Sequence, residues 1–293
     1  MTSPTFDLQS HSLHSDGALS AAEVVARAAD AGVELLSLTD HDTVDGIDEA
    51  LAAAKSDGRL RIVPGVEISS IDGEHEDLHL LGYDIDHHDP LLAERLTIWR
   101  EDRSMRVSRM EDALLELGWH IDEAPLAARR AAGKPVGRPH LAQAVFFHPG
   151  NAERLEAEGL SGDYSDVLVA YLTPGAPAFR RRTTPTVGEA IAAVHDAGGL
   201  AVWAHPFWDI DDANEVLDTL ARFAADYGLD GVEAFYATHT ERQTRLLVDA
   251  AAELGLLTTG SADFHGPEHA HFNRFRAFDT YGRVPNLGTI ADA

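Results

Sequence analysis

Short apolar runs of four or five residues recur along the chain, and most end in a polar or ionisable side chain. Leu35-Leu36-Ser37-Leu38-Thr39 leads into Asp40-His41-Asp42, and Arg61-Ile62-Val63-Pro64-Gly65 leads into Val66-Glu67. Leu200-Ala201-Val202-Trp203-Ala204 leads into His205, and Leu256-Leu257-Thr258-Thr259-Gly260 into Ser261-Ala262-Asp263-Phe264-His265. A further run from Asp77 to Leu81 carries His79. Runs this short, without strict alternation, read as strands covered on both faces. Between them the apolar spacing becomes helical, over residues 21–31, 47–55, 187–197, 213–227 and 241–254. Ser20 and Glu23 stand in capping-box positions before the first, and glycines follow the ends. Helix alternating with a short buried strand predicts an α/β protein with a parallel sheet.

Residues 91–185 break that rhythm. Residues 91–117 read as one long charged amphipathic helix, and a Pro- and Arg-containing stretch follows. Residues 170–177 are loop-like before Arg180-Arg181-Arg182. The expected organisation is therefore residues 1–90, a mostly helical insertion over 91–185, and residues 186–293.

At 293 residues and 44% hydrophobic, the chain has material for a sizeable core. Its 23 basic against 49 acidic residues give a net charge of −26, which disfavours a long nucleic-acid duplex or a membrane surface as partner. The absence of cysteine excludes disulfides, thiolate metal sites and cysteine nucleophiles. With neither a signal-like leader nor a long apolar span, a cytoplasmic location is expected.

Histidine is the most informative residue type. There are 16, and many stand beside aspartate just after a predicted strand. The candidate ligands are His11, His14, Asp16, Asp40, His41, Asp42, Glu67, His79, His205, Asp263 and His265. One Asp-His pair is commonly an ordinary loop feature. Five such placements at one expected rim point to bound cations, because converging carboxylates and imidazoles need positive charge to balance them. His, Asp and Glu without Cys suit Zn²⁺, Mn²⁺ or Fe²⁺. His14 and His195 read as surface or supporting residues, and His87-His88-Asp89 as a solvated turn.

These residues carry a specific resemblance. Asp7-Leu8-Gln9-Ser10-His11-Ser12 with Ser15-Asp16-Gly17, Thr39-Asp40-His41-Asp42, Pro64-Gly65-Val66-Glu67 and His79-Leu80-Leu81-Gly82 resemble motifs of the PHP (polymerase and histidinol phosphatase) family. Gly137-Arg138-Pro139-His140, Ala204-His205-Pro206 and Ser261-Ala262-Asp263-Phe264-His265-Gly266 extend the likeness, and Gly-Arg-Pro-His points to stand-alone nucleotide phosphoesterases. The resemblance implies a distorted (β/α)7 TIM-like barrel with a helical insertion, and two or three divalent ions. It implies a first ion at Gln9, His11, Glu67 and Asp263, a second at Glu67, His79 and His205, and a third at Asp16, His41 and His265. Gln9 departs from the usual His-x-His opening, and an amide oxygen is a weaker donor than imidazole.

Glu67, Asp263, His205 and Arg138 are the expected catalytic residues. Arg138 offers a bidentate fork for phosphate, with His140, Arg180 and Arg182 as further substrate contacts. The expected activity is metal-dependent hydrolysis of small nucleotides, as a nucleoside 3′,5′-bisphosphate phosphatase or a 5′–3′ exonuclease on short RNA. Alternatives are a phosphorylated-ligand-binding metalloprotein weakened at Gln9, hydrolysis of a C–N bond, and another small phosphate such as histidinol phosphate.

Overall fold

The computed structural model describes residues 4–73, 75–131 and 136–292, and forms two compact units, Met1–Thr97 with Thr184–Ala293, and Ile98–Thr183. In chain order the first unit begins with β1 (Phe6–Asp7), α1 (Ala21–Asp30), β2 (Leu35–Leu38), α2 (Ile47–Asp57), β3 (Arg61–Asp72) and β4 (His75–Tyr83). The chain then runs through α3 (Pro90–Glu116), α4 (Glu123–Ala131), α5 (Arg138–Phe146), α6 (Ala152–Ala157) and α7 (Tyr164–Leu172). It returns to the first unit with α8 (Val187–Asp196), β5 (Leu200–Trp203), α9 (Pro206–Asp209), α10 (Ala213–Tyr227), β6 (Gly231–Tyr236), α11 (Glu241–Leu254) and β7 (Leu257–Ser261).

The seven strands form one sheet in sequence order. Its ends come together: Leu8 N–H donates to the Gly260 carbonyl at 3.1 Å, and His11 N–H to that of Phe264 at 2.9 Å. The Asp7 carboxylate, buried, accepts the Ala262 N–H at 2.9 Å and fastens the same seam. The sheet therefore nearly closes into a barrel. It is mixed rather than parallel, correcting the expectation from the apolar runs. β4 is antiparallel to both β3 and β5, and the other neighbours are parallel. Only residues 73 and 74 separate β3 from β4, and Gly73 turns with φ +56°. A connection that short can only return the strand antiparallel, since a parallel crossover needs a dozen residues or more.

The helices present apolar stripes to this sheet. α1 buries Val24, Val25 and Ala28 with Leu36, Leu38, Ile62 and Phe264. Its start is a capping box of Ser20 and Glu23, and α8 and α11 repeat the device with Thr186/Glu189 and Thr240/Gln243. The second unit has its own core, centred on Met110, Leu114, Trp119, Leu141, Val145 and Leu172. Among the described residues no helix is long and apolar enough to cross a membrane.

Candidate metal centre

The candidate ligands of the first unit converge from strand ends and strand interiors. His11 follows β1 and His41 follows β2, whereas Glu67 lies within β3 and His79 within the antiparallel β4. His205 follows β5, and Asp263 and His265 follow β7. β3 reaches Glu67 by changing partners. Residues 61–64 pair with β2, residues 65–72 pair with β4, and the Asp42 N–H donates to the Glu67 carbonyl at 2.8 Å. His205 and Asp263 have φ of +26° and +55°, a region costly for non-glycine residues that the surrounding fold imposes.

Glu67 is buried and divides its two oxygens between two groups of ligands. Oε2 lies 3.0 Å from His11 Nε2, which is 3.1 Å from Asp263 Oδ1. Oε1 lies 2.7 Å from His79 Nδ1 and 3.3 Å from His205 Nε2, and those two nitrogens are 3.3 Å apart. A third group joins Asp16 to His41 Nε2 at 3.6 Å and to His265 Nε2 at 3.5 Å, with His11 Nδ1 also 3.6 Å away. Ions held by bonds of about 2.1 Å put neighbouring ligand atoms roughly 3.0–3.4 Å apart; the first group matches this, the second does so except for the closer Glu67–His79 pair at 2.7 Å, and the third slightly exceeds it. His11 Nε2, His41 Nδ1 and Asp263 Oδ1 are buried without a hydrogen bond, the condition a cation would relieve. The donor set and its orphaned atoms thus fit divalent metal.

Electrostatics lead the same way. Burial favours neutral His11, yet the adjacent carboxylates of Asp263 and Glu67 override it and hold its pKa well above the usual histidine value. At His205 burial is likewise overridden by Glu67, which lifts the ring to about 9. His41, where burial wins, falls to about 4. Burial also works against ionised Glu67, but the cluster of imidazoles around it holds it well below the ordinary carboxylate range. Protons on imidazole therefore supply the positive charge that an ion would bring.

Supporting groups set the ligands' aim. The Asp263 carbonyl lies 2.7 Å from His265 Nδ1, so that nitrogen donates and Nε2 is left to face Asp16. Tyr236 donates its hydroxyl to Asp263 Oδ2 at 2.7 Å. Asp40 is not among the converging groups: it accepts from Ser12 N–H and Oγ and from Ser15 Oγ at 2.6–2.7 Å, and so shapes the loop bearing His11 and Asp16. Gly17 completes that loop, since a Cβ there would stand 2.3 Å from the His11 carbonyl oxygen. Asp42 accepts the Ser69 N–H at 3.1 Å.

Gln9 is in the centre, with a geometry the resemblance did not supply. Its Nε2 donates to Glu67 Oε2 at 3.0 Å, and its Oε1 turns to Ser261 Oγ at 3.2 Å. Ser261 Oγ also lies 2.5 Å from Glu233 Oε1, while Glu233 Oε2 accepts the His205 N–H at 3.0 Å. Glu233, Ser261 and Tyr236 were not among the sequence candidates. Glu233 ends the stretch Gly231-Val232-Glu233, the one signal available, but its burial comes only from barrel closure.

Arg138, His140, Arg180 and Arg182 belong to the second unit. Arg138 opens α5, and His140 Nδ1 accepts the Gly137 N–H at 3.0 Å, closing that helix start. Arg180 donates to the carbonyls of Phe179 and Pro177 at 2.8 and 3.2 Å, and Arg182 is buried. Away from the centre, His87 and His88 approach Asp48 at 3.1 and 3.6 Å on an exposed surface.

The PHP domain profile matches residues 7–115. The chain is 34% identical over 262 residues to a 5′-3′ exoribonuclease of Haemophilus influenzae, covering 89% of this chain and 90% of that protein. It is equally 34% identical over 262 residues to a 3′,5′-nucleoside bisphosphate phosphatase of Chromobacterium violaceum, covering 89% and 87%. The solved structure of an amidohydrolase from Chromobacterium violaceum, with bound sulfate and no metal, superposes with a TM-score of 0.74 at 30% identity, over 93% of this chain and 91% of that one.

Proposed function

Because the chain belongs to the PHP domain family, we propose that it is a metal-dependent phosphoesterase acting on small nucleotides. The preferred substrates in this reading are nucleoside 3′,5′-bisphosphates and the 5′ ends of short RNA, the activities named for its relatives in Haemophilus and Chromobacterium. The observation that carries it is Glu67, whose two oxygens serve two separate ligand groups, His11 with Asp263 and His79 with His205. Two or three ions of Mn²⁺, Fe²⁺ or Zn²⁺ bound by these groups would supply charge for a phosphoryl group and acidify an attacking water.

The chain's own residues do the rest. Glu67 joins the ligand groups, and Asp263, steadied by the Tyr236 hydroxyl, orients the nucleophile. His205 is held by its backbone N–H on Glu233 and faces Glu67 through Nε2. On the motif resemblance alone, Arg138 is proposed as a contact to the substrate phosphate, with His140, Arg180 and Arg182 as further proposed contacts. A net charge of −26 suits a small substrate or a short end gripped locally over a long duplex.

One observation favours a second reading, a metalloprotein that binds phosphorylated ligands with weak turnover: Gln9 meets Glu67 as a hydrogen-bond donor. The deciding assay is phosphate and nucleoside release from adenosine 3′,5′-bisphosphate and a short 5′-phosphorylated RNA, with Mn²⁺-loaded protein, metal-free protein and His265→Ala. Metal-dependent turnover lost in the variant supports the phosphoesterase. Full metal occupancy with no release from either substrate refutes the proposed substrates and favours the binding protein.

A further inference from the structure

An aromatic wall rises from the ligand histidines towards solvent. The Tyr236 ring lies 5.1 Å from that of His205 and 5.9 Å from Phe272, and Phe272 lies 5.7 Å from His265. Trp208 closes on both members of the wall, 5.6 Å from Phe272 and 6.4 Å from Tyr236. Trp208 is 52% exposed, whereas Trp99, Trp119 and Trp203 are buried. Trp208 sits on α9, three residues beyond His205, so the turn that aims this ligand also carries the indole to the rim.

A half-exposed tryptophan leaves apolar surface in water, and its contribution to folding is correspondingly small. This one is nonetheless held in place. Its tilted and edge contacts to two rings fix its orientation, and Phe207, its neighbour on α9, is anchored edge-on to the buried His239 at 5.6 Å. A large, ordered and accessible π-surface two ring contacts from a metal ligand is placed for a flat group that a ribose joins to the reacting phosphate. Stacking on an aromatic side chain accepts any base, because every base has a π-face.

We propose that Trp208, backed by Phe272 and Tyr236, is the platform on which the substrate's nucleobase stacks, so that the protein selects phosphates carrying a flat aromatic group. This rests on the phosphoesterase reading for its kinetic consequence, not for binding itself. Because the other three tryptophans are buried, quenchable emission reports Trp208 directly.

The test titrates Zn²⁺-loaded protein with adenosine 3′,5′-bisphosphate and with its abasic counterpart, 1-deoxyribose 3,5-bisphosphate, following tryptophan fluorescence. The adenosine compound quenches the emission, the abasic one does not, and Trp208→Leu abolishes the response. In parallel, the ratio of kcat/KM for the two compounds falls about tenfold or more in Trp208→Leu, the scale of one base–aromatic stack, and Trp208→Phe restores most of it. Equal quenching by the abasic compound, or an unchanged ratio in Trp208→Leu, overturns the proposal. Should neither compound be hydrolysed, the bisphosphate phosphatase reading falls, and the fluorescence titration still decides whether the base stacks on Trp208.

Discussion

Glu233 offers a quantitative check on the barrel interior. Burial lifts its carboxyl from an ordinary 4.5 to about 8, with nearby His205 and the Ser261 hydroxyl only partly opposing the rise. In the native metal-free protein the group therefore holds its proton across the range where the unfolded chain has released it. A raised carboxyl stabilises fully below pH 4.5, and that contribution is lost as pH climbs towards 8. At 1.36 kcal/mol per pH unit the loss amounts to about 5 kcal/mol. For 293 residues the unfolding entropy is roughly 0.6 kcal/mol/K, so the melting temperature shifts by about 8 °C. The perturbation is Glu233→Gln, which cannot titrate. Unfolding by urea and by heat, in EDTA, is measured for both proteins between about pH 4 and 9. The wild type should lose about 5 kcal/mol relative to the variant between pH 4.5 and 8, whatever constant offset the substitution adds. A flat difference, or one that favours the wild type at higher pH, would show that the carboxyl is ionised in the fold and that the burial argument fails.

Other expectations concern the centre itself. Since His11 and His205 carry raised pKa values through their contacts with Asp263 and Glu67, metal must displace protons, and affinity should weaken as pH falls below about 9. Isothermal titration in buffers of different ionisation enthalpy counts the protons released, and pH-independent binding contradicts the assignment. Gln9→His should tighten one Mn²⁺ site at least tenfold by replacing an amide that donates to Glu67 with a ligand nitrogen, as read from competition with a chelator. Tyr236→Phe removes the donor to Asp263 Oδ2 and should lower kcat about tenfold while leaving the protein folded, with unchanged kcat as the contrary result. Gly17→Ala drives a Cβ against the His11 carbonyl and should cost about 2 kcal/mol or more together with metal affinity; a variant as stable as wild type would place that loop elsewhere.

The residue types of the centre were legible because imidazoles and carboxylates gathered after short apolar runs, in a chain without cysteine, make up the donor set of a divalent metal. The α/β alternation was legible too, since helical and strand periodicities differ, and the long helix read as 91–117 is α3, Pro90–Glu116. Strand direction was not. The apolar runs of β3 and β4 look like those of the parallel strands, and only their two-residue connection makes β4 antiparallel. The family resemblance also placed Gln9 among the metal ligands by motif position. That its amide donates to Glu67 and turns its oxygen towards Ser261, 252 residues away in sequence, depends on neighbours that meet only once the barrel seam forms. Glu233 and Tyr236 escaped notice for the same reason. A proton's residence and a hydroxyl's partner are set by burial and by neighbours drawn from several strands, quantities that a pattern along one segment does not contain. Composition and spacing thus determined which donor set this protein carries, while tertiary packing decided which atoms meet at the centre.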